Sequence, residues 1–301
     1  MNCLEEKNSG DFATRERTRS QEYIVISNFI FRISSYVIME IEKYLQRIGY
    51  NGSMQPTIEL LQVLQKRHLL SVPFENLDIH YKIPIQLNVE SIFEKVVIKK
   101  RGGFCYELNG IFYELLRSIG FDVKMISARV FDQGQQIFSP EFDHLAIIAK
   151  IDSVDYLADA GFGEFAFSPL QVEPDTIQND ERGNFRIERH DNSYYKVVKR
   201  AGEAWVPEYM FTLTKRDLSE FEDMCRYNQT SPLSHFTQNK FCSLATEKGR
   251  ITVTTKKTKI TVGDSVTEVP LESEEEFLEA LETYFHMRPN NGVQLPSAAS
   301  G

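Results

Sequence analysis

Apolar residues recur at helical spacing through the first third of the chain from Met39, then shift to the alternating or continuous runs of strands. The pattern predicts helices over Ile41 to Ile48, Thr57 to Leu70 and Val89 to Val97. A fourth, strongly amphipathic helix starts at Cys105, with Leu108, Ile111, Phe112, Leu115, Leu116 and Ile119 on one face and Gly120 as its stop. From Phe121 to about Thr214 the prediction is short strands: Val123 to Val130, a hairpin from Phe142 to Ala160, and Phe185 to Val198. Leu213 to Asn228 reads as a helix and Ile251 to Val262 as a hairpin. A last helix is expected from Glu274 to Phe285, with Ser273 as N-cap and Glu276 completing a capping-box pattern.

The segment ahead of Met39 follows neither pattern. Met1 to Gln21 is polar and charge-mixed, and the β-branched and aromatic run from Tyr23 to Ile38 is broken by Asn28 and Arg32. It lacks the basic start and small-residue cleavage site of a signal peptide, and it is too short and polar to span a bilayer. Residues 1–38 are therefore expected to be a poorly ordered extension, or to precede a working start codon at Met39. The tail 289–301, rich in Pro, Asn, Ser and Gly, is expected to be mobile.

Composition narrows the function. With 301 residues and 42% hydrophobic content the chain can bury a large core, and its net charge of −9 argues against nucleic acid or an anionic membrane as partner. An anionic cofactor would then need a local basic patch. Lys99-Lys100-Arg101 is the first candidate and Lys256-Lys257-Lys259 the second, both readable as solvated surface runs. The four cysteines, at positions 3, 105, 225 and 242, show no zinc-site spacing, so no metal is expected; a Cys225–Cys242 bridge stays open on sequence grounds.

The chemistry centres on Cys105. It follows the turn Arg101-Gly102-Gly103-Phe104 and sits in the first turn of its helix, where free N–H groups and the helix dipole favour a thiolate. A lone cysteine there would more often be a core residue. His144 and Asp159 change that balance. With Asp152-Ser153 as a two-residue turn, residues whose numbers sum to 305 pair across the hairpin, so Asp159 is the diagonal neighbour of His144 on one face. Asp159 can then orient His144 and His144 can deprotonate Cys105, the logic of a nucleophile, a base and an orienting acid.

Those residues carry a resemblance. The stretch RGGFCYELNGIFYELL around Cys105, His144-Leu145, Leu157 to Gly163, Pro73-Phe74-Glu75-Asn76-Leu77, Thr230 to Phe236 and Cys242 to Thr246 resemble, in order, the signature set of the arylamine N-acetyltransferases in their bacterial form. The resemblance implies an α+β multi-subdomain fold with a cysteine-protease/transglutaminase-like catalytic core. Residues 39–120 would form a helical bundle carrying the nucleophile, residues 121–214 a β-barrel carrying His144 and Asp159, and residues 215–288 an interdomain segment and α/β lid. It also implies Cys105, His144 and Asp159 as the triad, acetyl-coenzyme A as acyl donor, small amines as acceptors, and a reducing, cytoplasmic setting. Phe74 would line the acceptor pocket, with a buried core phenylalanine as the competing reading, and Phe142 is a second aromatic candidate. Glu107 and Asn109 are candidate supports. Residue chemistry alone leaves amide synthases, transglutaminase-like enzymes and cysteine peptidases as alternatives.

Overall fold

The computed structural model describes residues 41–287, so the expectations for residues 1–38 and for the tail lie outside the described residues. The fold below is that of residues 41–287, almost all of which belong to the compact unit Tyr44–Gly301. Among the described residues no helix is long and apolar enough to cross a membrane.

The helices fall where the periodicity puts them. Residues 41–47 form α1 and Ile58–Ser71 form α2, capped by Thr57, whose Oγ1 accepts the Leu60 N–H at 3.3 Å. Leu77–His80 is the short α3, and α4 (Val89–Phe93) runs on as a π-helical turn over Glu94–Ile98. Cys105–Ile119 is α5, closed by Gly120 at φ 107, a left-handed position that glycine adopts without strain. The helix predicted from Leu213 starts later. Asp217 caps a 3-10 turn, Leu218–Phe221, that leads into α6 (Glu222–Thr230), while Arg216 is still held strand-like by its N–H to Met125 O at 2.9 Å. His235–Gln238 is α7 and Glu274–Phe285 is α8. Ser273 caps α8 as expected, but the Glu276 carboxylate reaches the Glu272 N–H at 2.7 Å, one residue before the expected Ser273 N–H.

The strands form two antiparallel sheets. In the larger one, β2 (Asp122–Asp132), β4 (His144–Ile151), β5 (Val154–Ala158), β6 (Leu170–Gln171), β7 (Ile177–Asp180), β8 (Gly183–Arg189), β9 (Tyr195–Ala201) and β10 (Ala204–Phe211) run in the order β6-β5-β4-β2-β10-β9-β8-β7. The short β3 (Ile137–Phe138) pairs with β2. The span read as Phe185 to Val198 is two strands, because the Asp191 carboxylate accepts the N–H groups of Ser193 and Tyr194 and turns the chain. After β6 the Asp175 N–H bonds to Ile187 O on β8 at 2.8 Å, which curls the sheet into a nearly closed barrel around Ile126, Ala146, Ile148, Leu157, Phe185 and Phe211. The smaller sheet has the order β1 (Phe74–Glu75), β11 (Phe241–Thr246), β12 (Gly249–Thr254), β13 (Lys257–Val262), β14 (Ser265–Pro270). Phe277 and Leu281 of α8 pack on it with Val253 and Cys242.

His68 of α2 lies in the helical core, its Nδ1 2.8 Å from the Tyr44 hydroxyl and its Nε2 without a partner. Burial, with Arg47 adding to it, pushes the imidazole down to about 3. The unfolded chain therefore binds this proton first, and stability is lost as pH falls from about 6.5 towards 3, at about 1.4 kcal/mol per pH unit. The drop in urea midpoint between pH 7 and pH 5 is expected to be larger in wild type than in His68→Gln. Equal drops would remove His68 from the acid response.

Candidate active site

The turn before the nucleophile is fixed by its neighbours. Gly103 N–H donates to Pro73 O at 3.3 Å and Glu75 N–H to Gly103 O at 2.9 Å, so the turn lies along β1. Gly102 stands against the Pro73 carbonyl, where a Cβ would collide with backbone. Beneath the turn runs a buried charge cluster. Arg101 Nη2 meets Glu75 Oε1 at 2.7 Å and Asp78 Oδ1 at 2.9 Å, and Lys95 Nζ meets Asp78 Oδ2 and Glu107 Oε1, each at 2.8 Å. Burial alone would lower the Lys95 ammonium, but Glu107, Glu75 and Asp78 carry it above the ordinary lysine value. Glu107 also accepts the Phe104 N–H at 3.1 Å, which anchors the first turn of α5.

Cys105 opens α5 and is 4% exposed. Its Sγ lies 3.8 Å from the carbonyl of Asp143, the residue before His144. Next to it, the Tyr106 hydroxyl donates to Phe142 O at 2.9 Å and Asp143 O at 3.2 Å. One turn further on, Asn109 Nδ2 donates to Leu145 O at 2.5 Å and Asp159 Oδ1 at 2.8 Å, while its Oδ1 accepts the Ala160 N–H. Cys105 is thereby laid against the start of β4 and the end of β5.

The hairpin takes the expected register. Ile147 pairs with Ala158 and Ile151 with Val154, and the turn residues Asp152 and Ser153 both have positive φ, 49 and 68, the conformation of a two-residue hairpin turn. His144 and Asp159 share the barrel-facing side, and His144 Nε2 donates to Asp159 Oδ2 at 2.7 Å. The carboxylate has three further donors. Tyr209 OH reaches Oδ2 at 3.0 Å, and Asn109 Nδ2 and Gly161 N–H reach Oδ1 at 2.8 and 3.0 Å. Phe162 and Tyr209 flank the imidazole, with ring centroids 5.3 and 5.2 Å away. Since Nε2 gives its proton to Asp159, neutral His144 has its lone pair on Nδ1.

Burial and nearby charge act on the nucleophile against the helix terminus. Burial pushes the Cys105 thiol well above its ordinary value, and Asp143, Cys225 and Asp159 push the same way, against a single backbone N–H from Tyr106.

Residues 57–292 match a family model described as N-acetyltransferase. Arylamine N-acetyltransferase 1 of Homo sapiens is 32% identical over 274 residues, which cover 83% of this chain and 94% of that enzyme. Arylamine N-acetyltransferase 2 of Mus musculus is 34% identical over 231 residues, covering 70% and 79%. The solved arylamine N-acetyltransferase from Salmonella typhimurium superposes with a TM-score of 0.77 at 26% identity, over 82% of this chain and 91% of that one. The chain belongs to the arylamine N-acetyltransferase family. It is an acyl-transferring enzyme with that family's α+β architecture, and the matches favour acetyl transfer over the amide-synthase and peptidase-like alternatives.

The remaining candidates separate within this family framework. Phe74 lines a narrow cleft beside Cys105 with Leu69, Val72, Leu108 and Phe162, and it stacks on Phe241 at 5.8 Å. Phe142 is not among the residues lining that cleft; its ring lies against Phe221 at 5.2 Å and under Arg216. Arg101 is a correction: only 8% exposed and held by two carboxylates, it is committed to the fold and not free for a phosphate. Lys99 and Lys100 are exposed, with Lys99 Nζ 3.6 Å from Glu94. The second basic run stands on β13 and the turn before it, and Lys257 is paired with Glu268 at 2.7 Å. Cys105, Cys225 and Cys242 are all free and buried, so no Cys225–Cys242 bridge forms.

Sequence reasoning missed Tyr209 and Gln65. Tyr209 follows a bulge at Glu208 on β10, which shifts the pairing between Pro207 and Tyr209 and turns the tyrosine inward. Gln65 of α2 accepts the Asp159 N–H at 3.1 Å from 94 residues away.

Proposed function

We propose that this enzyme acetylates small aromatic amines and hydrazines from acetyl-coenzyme A through an acetyl-Cys105 intermediate, with His144 as base and Asp159 as its orienting acid. The observation that carries the proposal is the 2.7 Å His144–Asp159 bond set on the strand end against which Cys105 is laid. The Cys105 proton passes to His144 Nδ1, so that the thiolate forms together with imidazolium. The sulfur attacks the thioester carbonyl, the carbon–sulfur bond to the coenzyme breaks, and the coenzyme leaves as a thiol carrying the proton from His144. An amine then attacks acetyl-Cys105 and loses a proton to His144, and the product amide departs as the Cys105 thiol is restored. The N–H groups of Cys105 and Tyr106 lie ahead of the first helical bonds, those of Glu107 and Leu108 to Phe104 O, and are suited to developing negative charge.

The cleft suits the acceptor. Phe74 and Phe162 offer aromatic walls to a flat ring. Lys99 and Lys100 are the part of the expected basic patch that stays available to the coenzyme's phosphates. Three unpaired cysteines support a reducing, cytoplasmic setting.

Thiol release from acetyl-coenzyme A tests the scheme. Without an amine, about one equivalent of coenzyme thiol per enzyme is expected as a burst; with an aromatic amine, release becomes continuous. Continuous release without any amine would make the protein a thioesterase and overturn the proposal.

A further inference from the structure

Phe142, two residues before His144, has φ 65, in the left-handed region. The other non-glycine residues with positive φ among those described are all polar. For a side chain as bulky as phenylalanine that conformation persists only where the surroundings hold it, and such positions gather at functional sites.

Ser127 of β2 supplies much of the hold. It is fully buried, and its Oγ accepts the Phe142 N–H at 2.8 Å and donates to Glu141 Oε2 at 2.6 Å. Glu141 is fixed in turn by the Tyr194 hydroxyl, which donates to Oε1. From the opposite side the Tyr106 hydroxyl donates to Phe142 O at 2.9 Å and accepts from Asn228 Nδ2 at 3.2 Å. The N–H of Phe142 is therefore held by the barrel, and its carbonyl by the helix that carries Cys105.

That torsion sets the direction of the two residues that follow. Asp143 O lies 3.8 Å from Cys105 Sγ, and His144 begins β4 opposite Ala128, the neighbour of Ser127. A return of Phe142 to negative φ would swing the chain at Asp143 and displace the imidazole from the sulfur. Ser127 thus bears on the reacting residues through the backbone, without touching the substrate.

We infer that Ser127 is a positioning residue of the reaction: by bonding Glu141 and the Phe142 N–H together it holds the left-handed turn at Phe142, and that turn presents His144 to Cys105. This inference rests on the acetyl-transfer reading of the site.

The test follows Cys105 acetylation by acetyl-coenzyme A in a single turnover, for wild type and for Ser127→Ala. The rate at saturating coenzyme is expected to fall about 10- to 100-fold in the variant, the cost of a misplaced reacting group, while the half-saturating concentration stays the same. Rescue separates positioning from support of the fold. Glycine takes φ 65 without strain, whereas alanine loses the same ring and keeps the strain. Within Ser127→Ala, adding Phe142→Gly is therefore expected to give acetylation about 5- to 10-fold faster than adding Phe142→Ala.

Unchanged acetylation in Ser127→Ala overturns the inference, as does an equal rate for the glycine and alanine variants in that background. A rise in the half-saturating concentration at an unchanged rate would assign Ser127 to coenzyme binding and also overturn it. Should Ser127→Ala not fold, Phe142→Gly and Phe142→Ala are melted with Ser127 in place. The glycine variant is then expected to melt higher, despite its larger chain entropy, and a glycine variant melting at or below the alanine one refutes the held turn. Wild type that forms no acetyl-Cys105 would instead refute the acetyl-transfer reading itself.

Discussion

Cys105→Ser is expected to lower N-acetylation by roughly 10⁴-fold or more while the chain stays folded. A serine hydroxyl is far less acidic than a thiol, and burial beside Asp143 and Asp159 would disfavour its anion further. The substitution leaves the stabilising contacts of the site alone: Asn109 still ties α5 to Leu145 O and Asp159, and Glu107 still caps the helix. Steady-state rates with an aromatic amine, read beside a thermal melt, check this. A serine variant with a tenth of wild-type activity would remove Cys105 from the role of nucleophile.

Asp159→Asn is expected to lose roughly 10²- to 10⁴-fold in activity, because an amide neither stabilises imidazolium nor fixes the tautomer of His144. The site adds a second consequence. Both carboxylate oxygens accept from two donors each, and Asp159 is fully buried. An amide group must turn its NH₂ towards one pair of donors, leaving polar groups unpaired at about 1–3 kcal/mol. Activity, melting temperature and the rate of Cys105 alkylation by iodoacetamide near neutral pH should all fall. A variant with lowered stability but unchanged alkylation and turnover would make Asp159 a purely structural residue.

What the sequence made legible was local. The hairpin register followed from one two-residue turn, and the start of α5 followed from a glycine pair and an apolar stripe. What it concealed depends on long-range burial. Lys99-Lys100-Arg101 reads as one basic run, yet Arg101 points inward to Glu75 and Asp78, more than 20 residues earlier. Tyr209 reaches Asp159 only because a bulge changes which face of β10 it occupies. The helix start favours a thiolate, while burial pushes the Cys105 thiol the other way. A helix terminus contributes about 0.3–1 kcal/mol, less than one pKa unit, whereas full burial can shift a group by several.

The most direct test is the mass of the enzyme after acetyl-coenzyme A is added with no amine present. One acetyl group is expected, located by peptide mapping on Cys105 and lost when an aromatic amine is supplied. An adduct on Cys225 or Cys242, or amide formation with no acetyl-enzyme at any time, would contradict the account.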